Sequence, residues 1–197
     1  MNVLLLSPYP EKIQDIIEDA GDRVIVSSDK TSLEEIVAQE VDFIVSYGYR
    51  YIIQAPIIQA YKGRIVNLHI SYLPYNRGSD PFIWACLDET PVGVSIHEMD
   101  EGLDTGKILA QRPVGIDRYK DTLATGYARL RENVEDLFIQ EWMQIRSGVI
   151  KAQAQDHAKA TLHRSRDKDT FFHLLPKGYD TRIEDVISIY RKSIQAD

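Results

Sequence analysis

The sequence predicts an α/β fold: a Rossmann-like, mostly parallel, doubly wound sheet followed by a short C-terminal extension. Three observations lead there. Short apolar runs alternate with amphipathic stretches in a β-α-β-α-β-α-β order up to about residue 70, the signature of a parallel sheet covered by helices. The chain has 197 residues, 44% of them hydrophobic, enough for one packed domain. A polar pair, Asn67 and His69, sits at the end of the last of these runs. Open α/β sheets bind ligands at the carboxyl ends of their strands.

Each element has a local reason. Asn2–Leu6 reads as a short buried strand. Pro10 opens an amphipathic helix with Ile13, Ile16, Ile17 and Ala20 inward, and Gly21 stops it. Arg23–Val26 is a second strand. Ser32-Leu33-Glu34-Glu35 has capping-box form and starts a helix running to about residue 39. Val41–Val45 is a third strand, and a short helix over Ala55–Tyr61 leads to the strand ending in Asn67-Leu68-His69. Ser71–Gly78 has loop composition, and Asp80–Leu87 reads as a helix. Val92–Met99 and Lys107–Val114 are strands, joined by a loop with three acids and two glycines. Residues 121–147 form the longest helix, with a stripe of Leu123, Tyr127, Leu130, Val134, Leu137, Phe138 and Ile145 near the 3.6 period. Beyond residue 150 the pattern weakens to a short strand at 161–164 and a final helix over Ile183–Ile194. The expected organisation is one domain over 1–150 and an extension over 151–197 packed on it.

Composition narrows the function. The formal net charge of −7 opposes binding to nucleic acid, which depends on Lys and Arg neutralising phosphates. One cysteine, Cys86, leaves no internal disulfide and no multi-cysteine metal site, so no metal is expected. No apolar run approaches the ~20 residues that span a membrane. The N-terminus lacks the basic start of a secretory signal. A soluble cytoplasmic protein acting on small molecules is the expectation, with no membrane partner. Leu174, Leu175 and Ile187 are candidates for a helical homodimer interface.

The motifs narrow it further. There is no G-x-G, no G-K-[ST] and no H-E-x-x-H, so dinucleotide, P-loop and zinc-protease chemistry lack their sequence signatures. In Ile65–Ile70, alternation puts Val66, Leu68 and Ile70 on one face and Asn67 and His69 on the other. A donor beside a titratable imidazole suits polar catalysis, although a buried histidine can also just satisfy a carbonyl. His97, in its apolar alternation, reads by itself as such a structural histidine. Asp104, between Gly102 and Gly106, reads by itself as a turn former. Taken with Asn67 and His69, it is a carboxylate that can orient and charge an imidazole. Arg77 can hold an anion or lie solvated. Tyr47-Gly48-Tyr49-Arg50 follows the third strand, where aromatics can flank a flat ring or pack.

Two of these segments carry a family resemblance. Val66-Asn67-Leu68-His69-Ile70-Ser71-Tyr72-Leu73-Pro74 resembles the N-x-H…S-L-L-P segment of the 10-formyltetrahydrofolate-dependent formyltransferases. Gly93–Ile108, with His97, Asp100, Gly102, Asp104 and Gly106, is similar to their G-x-T-x-H…D-x-G-x-D-x-G-x-I stretch. The segments keep the family's order and approximate separation. The resemblance is clear over about 40–115 and extends over 1–150. Tyr72 stands where Leu is common and Ser95 where Thr is common; neither removes a catalytic group.

The resemblance implies the formyltransferase fold, with Asn67, His69 and Asp104 as catalytic residues and 10-formyltetrahydrofolate as formyl donor. It implies that backbone around Tyr47, Gly48, Tyr49 and Arg50, and around Met99, Asp100, Gly102 and Leu103, holds the pterin. Members differ in the amine they formylate. A methionyl-tRNA enzyme needs a tRNA-binding domain, for which 50 or so residues after the core are few. A glycinamide ribonucleotide enzyme usually has a glycine-rich first turn, where this chain has Ser7-Pro8-Tyr9-Pro10. Formyltetrahydrofolate hydrolases usually carry an N-terminal regulatory domain. The loop Leu73–Gly78, the stretch Ile96–Asp100 and Thr161–Arg164 most resemble the sugar N-formyltransferases, which act on nucleotide-linked amino sugars. Tyr75, Asn76, Arg77 and His97 are then the candidates for binding the acceptor: Asn76 to read sugar hydroxyls, Arg77 to pair with a phosphate. The alternatives are the hydrolase and the glycinamide ribonucleotide enzyme.

Overall fold

A computed structural model describes residues 1–195. The main sheet has six strands: β1 (Asn2–Leu6), β2 (Arg23–Ser27), β3 (Phe43–Tyr47), β4 (Ile65–His69), β6 (Gly93–Glu98) and β7 (Ile108–Pro113), in the order β2-β1-β3-β4-β6-β7. The first four are mutually parallel, whereas β6 runs antiparallel to β4. The mostly parallel α/β fold is therefore the one expected. The direction of β6 is new, because alternation has the same period in either kind of ladder.

The chain forms two compact units that interleave in sequence. The first comprises Met1–His69, Ser95–Gln111 and Val134–Gln155; the second comprises Ile70–Val94, Arg112–Asn133 and the segment from Asp156 onward. The expected division at residue 150 does not match this partition. Residues 151–155 belong with the first unit. Those from 156 belong with residues 70–94, where β5 (Arg77–Gly78) pairs in parallel with β8 (Leu162–His163). Ser71–Gly78 thus contains a strand that the loop composition hid.

In the first unit, both sheet faces are covered. Ile44 and Ile65 are register partners across β3 and β4. They bury with Leu4 and Leu6 against Ile36 of α2 (Leu33–Ala38) and Ile57 and Ile58 of α3 (Ala55–Ala60). The predicted capping box at Ser32 and Glu35 starts α2. Phe43 and Tyr47 point to the opposite face, where α5 (Leu123–Arg146) lies. Phe43 meets Trp142 edge-to-face at 5.3 Å, and the Tyr47 hydroxyl donates to Glu135 at 2.7 Å. Lys12 of α1 (Glu11–Asp19) reaches Asp136 of α5 at 2.8 Å, so α1 and α5 share that face. β3 begins two residues later than expected. Glu40 takes a left-handed conformation, and the Val41 N–H returns to the carbonyl of Ile36 to close the preceding helix.

In the second unit, α4 (Pro81–Leu87) is buried along its whole length. The N-terminal part of α5 packs on it through Gly126 and Phe82: a Cβ on Gly126 would overlap the Phe82 ring. Lys168 of the short α6 (Ser165–Asp169) reaches Asp80, just before α4, at 2.8 Å. α7 (Ile183–Ser193) buries Ile183, Val186 and Ile187. Leu175 and Ile187 are core residues and Leu174 alone of the three is exposed, so they do not form the helical interface suggested by sequence. No helix among the described residues is long and apolar enough to cross a membrane.

Candidate active site

The sheet register builds the site. Residues directly opposite each other on neighbouring strands share a face. Ser46 of β3 pairs with Asn67 of β4, Asn67 with His97 of β6, and His69 with Ser95. Ile65, at the start of β4, belongs to the same face and sits in the apolar cluster under α2 and α3. One face of the sheet therefore passes from hydrophobic to polar along β4. His69 is the last residue of that strand, at its carboxyl end.

Asp104 joins this row from the loop after β6. Its Oδ2 lies 3.6 Å from His69 Nε2 and its Oδ1 3.5 Å from His97 Nε2. The Asn67 Nδ2 donates to Asp104 Oδ1 at 3.5 Å and lies 3.3 Å from His97 Nε2. The two imidazoles meet edge-to-face with centroids 5.9 Å apart. Asn67, His69 and Asp104, proposed together from sequence, converge in space. At 3.3–3.6 Å the distances are long for hydrogen bonds.

His97 occupies a different place from the one expected. It is 1% exposed, and its Nδ1 lies 2.7 Å from the Glu98 carbonyl. A proton on Nδ1 satisfies that carbonyl, and in the neutral ring with that tautomer Nε2 accepts from the Asn67 amide. His97 contacts the Asn67 amide from the neighbouring strand and presents almost no surface to an acceptor.

The loop carrying Asp104 is tied at several points. Asp104 has φ +52°, a left-handed conformation that outside glycine is adopted mostly by Asn and Asp. A Cβ on Gly106 would overlap the Glu98 carbonyl, so only glycine fits there. The Asp100 carboxylate accepts from the Gly102 N–H and the Thr105 hydroxyl. Sequence reading gave Ser95 only as a motif position and missed Gln111 and Gln155. Gln111 Nε2 donates to Ser95 Oγ at 2.9 Å. Gln155 donates to the backbone carbonyls of Asp104 and Gly106. The Ser95/His97 alternation was the available signal for Ser95.

The stretch after β3 divides. Tyr47 is buried and spends its hydroxyl on Glu135, so its ring is no wall of a cleft. Gly48, with φ +64°, and Arg50 are exposed, and Tyr49 is half-buried with its hydroxyl on the Asp29 carbonyl. Tyr49 and Met99 both pack on the cluster beneath Ile65. Exposed Tyr9, Tyr51, Ile52 and Leu103 add apolar surface in the same unit. Flat aromatics and exposed aliphatics suit a planar heterocycle. Among the described residues, no three His, Cys, Asp or Glu side chains are grouped to hold a metal ion.

In the second unit, Asn76 and Arg77 are more buried than loop residues would be. Asn76 is fully buried, with φ +52°. In the orientation that satisfies both ends of its amide, the nitrogen donates to Thr161 Oγ1 and Asp88 Oδ2, and the oxygen accepts from Thr90 Oγ1 and the Ala85 N–H. That amide is committed to the fold, which corrects its expected role in reading sugar hydroxyls. Arg77 lies in β5, 7% exposed, with Nη2 3.3 Å from His157 Nδ1. Tyr75 is half-buried, and its carbonyl accepts from Ser71 Oγ at 2.6 Å.

Comparison with known proteins gives a consistent picture. Residues 15–141 match the family model described as formyl transferase. A methionyl-tRNA formyltransferase of Desulfotalea psychrophila is 36% identical over 162 residues, covering 80% of this chain and 49% of that protein. A dTDP-4-amino-4,6-dideoxyglucose formyltransferase of Mycobacterium bovis is 34% identical over 118 residues, covering 60% of this chain and 49% of that one. The chain spans about half the length of these curated relatives. Among solved structures, the formyltransferase PseJ from Anoxybacillus kamchatkensis, in complex with UDP-4,6-dideoxy-4-formamido-L-AltNAc and tetrahydrofolate, superposes with a TM-score of 0.90 at 42% identity. That match covers 96% of this chain and 99% of PseJ.

Proposed function

Since the chain belongs to the formyl transferase family, we propose that it transfers a formyl group from 10-formyltetrahydrofolate to the amine of a nucleotide-linked amino sugar. The observation that carries the sugar reading is the PseJ match, which runs over nearly all of both chains, to a protein bound to a formamido sugar and tetrahydrofolate. The charge of −7 supports it, because a tRNA is a long polyanion and a nucleotide sugar is not.

The folate supplies the formyl group as an activated carbonyl. Gly48, Tyr49 and Arg50, with the backbone near Tyr47, and Met99, Asp100, Gly102 and Leu103 are the residues that would hold it. Asn67 donates its amide N–H to the formyl oxygen as negative charge develops there, when the amine adds to the formyl carbon. His97 holds that amide in orientation. His69, as imidazolium, is the second donor, and Asp104 favours its charged form. Asp104 takes the proton that the amine loses and returns it to the departing N10, directly or through a water. Arg77 pairs with a phosphate of the acceptor and Tyr75 lies beside it in the chain; orienting the two substrates supplies much of the acceleration.

Methionyl-tRNA is the second reading, favoured by the 36% identity over 162 residues. Incubation with 10-formyltetrahydrofolate and either UDP- and dTDP-linked amino sugars or charged methionyl-tRNA, read by mass spectrometry, separates the two. Formate release without any acceptor identifies a hydrolase.

A further inference from the structure

Gln155 is 6% exposed and lies beyond the end of α5, in a stretch that no catalytic motif covers. Its side-chain nitrogen donates to the Asp104 carbonyl at 2.9 Å and to the Gly106 carbonyl at 2.6 Å. A primary amide has two N–H protons, so both are used. Nothing in the local chain brings these groups together, because they are 51 and 49 positions apart. The segment is held in place by a reciprocal backbone pair: Ile108 N–H to the Gln153 carbonyl and Gln153 N–H to the Ile108 carbonyl, each 2.8 Å. Gln155 thus grips both sides of the turn that starts β7.

The grip falls where the backbone needs it. Asp104 is held in the left-handed region, which aspartate tolerates better than most residues with a Cβ but at some cost, so contacts to its backbone help to keep it there. On the other side of the turn, Asp100 fixes Gly102 and Thr105, and the Glu98 carbonyl closes on Gly106. Asp104's own carbonyl is fixed by Gln155. The carboxylate it carries stands 3.5–3.6 Å from His69, His97 and Asn67. A shift of about 1 Å there would alter all three spacings at once, and a misplacement of that size can cost about a hundredfold in rate.

We infer that Gln155 is a positioning residue for the reaction, fixing the Asp104 backbone so that the carboxylate faces the His69 and Asn67 side chains. This rests on the formyl-transfer reading of the site. It acts through Asp104 and touches no substrate.

The test is a double-mutant cycle on the full chain, with 10-formyltetrahydrofolate and the UDP-linked 4-amino sugar corresponding to the formamide held by PseJ. Gln155→Met keeps the length and removes both donors. With the variant folded by circular dichroism, kcat falls about ten- to hundredfold while both KM values stay within about twofold. In an Asp104→Asn background, the same Gln155 change has less than about a twofold further effect, because the group it positions is already disabled. An unchanged kcat in folded Gln155→Met, or an equal factor in both backgrounds, overturns the inference while leaving formyl transfer intact. A wild type that formylates no acceptor overturns both readings. If Gln155→Met does not fold, Gln155→Glu serves instead. Its carboxylate faces two carbonyl oxygens, and protonation restores one donor, so its kcat relative to wild type rises as pH falls. A ratio that does not change with pH counts against the positioning role.

Discussion

Asn67 stands directly opposite His97 across the antiparallel β4–β6 pair, with its amide nitrogen 3.3 Å from the imidazole Nε2. The His97 Nδ1 contact with Glu98 leaves Nε2 as an acceptor, so one Asn67 N–H is bound and the amide cannot rotate freely. The second N–H reaches Asp104 at only 3.5 Å, and in the proposed reaction it is the one that turns to the developing oxyanion. Asn67→Ala is therefore expected to lower kcat about 10²–10³-fold, the usual cost of one such donor, with little change in the KM for folate. Steady-state kinetics with both substrates checks this; a variant with more than half of the wild-type kcat removes Asn67 from the chemistry.

Asp104→Asn keeps the shape and removes the charge. A negative neighbour favours imidazolium, so its loss makes the proton on His69 easier to release. The pH–rate limb that reports imidazolium is expected to move to lower pH, and kcat to fall. An unchanged profile at unchanged stability would reduce Asp104 to a turn residue.

Arg77→Ala is expected to raise the KM for the nucleotide sugar much more than the KM for folate. Arg77 is 7% exposed, with Nη2 3.3 Å from His157 Nδ1, and in the proposed reading its guanidinium supplies a fixed charge for a phosphate. Equal effects on the two KM values would make Arg77 a structural residue of the β5–β8 pair. Comparing thermal midpoints of the two proteins separates a folding defect from a binding one.

Cys86 lies on the buried helix α4, and burial pushes its thiol up to about 12. The reactive species is the thiolate, so at pH 8 the folded protein is expected to react slowly with a thiol reagent and the unfolded protein quickly. Labelling at the same rate with and without denaturant would contradict the burial of α4.

Much of the fold was legible because its signals are local. β1 has the bounds that its apolar run suggested, and Ser32 caps α2 as its spacing to Glu35 implied. Asn67 and His69 showed on one face because alternation has period 2. The rest depends on groups far apart in sequence. Nothing near β6 states that it opposes β4, and nothing near Gln155 states that it holds the Asp104 backbone. Trp142 escaped the helical stripe although it packs on Phe43, because the periodic reading stepped from Phe138 straight to Ile145. Asn76 and Arg77 have loop composition, and partners distant in sequence, the 161–163 segment among them, bury them.

The central claim is tested most directly by one assay. Wild type and His69→Ala are each incubated with 10-formyltetrahydrofolate and a panel of UDP- and dTDP-linked amino sugars, with charged methionyl-tRNA in parallel, and the acceptors are weighed by mass spectrometry. The account predicts a formylated nucleotide sugar with wild type, a signal reduced at least about a hundredfold with His69→Ala, and no appreciable formylation of the tRNA. Efficient formylation of methionyl-tRNA with no product on any sugar, or equal sugar product from the two proteins, would contradict it.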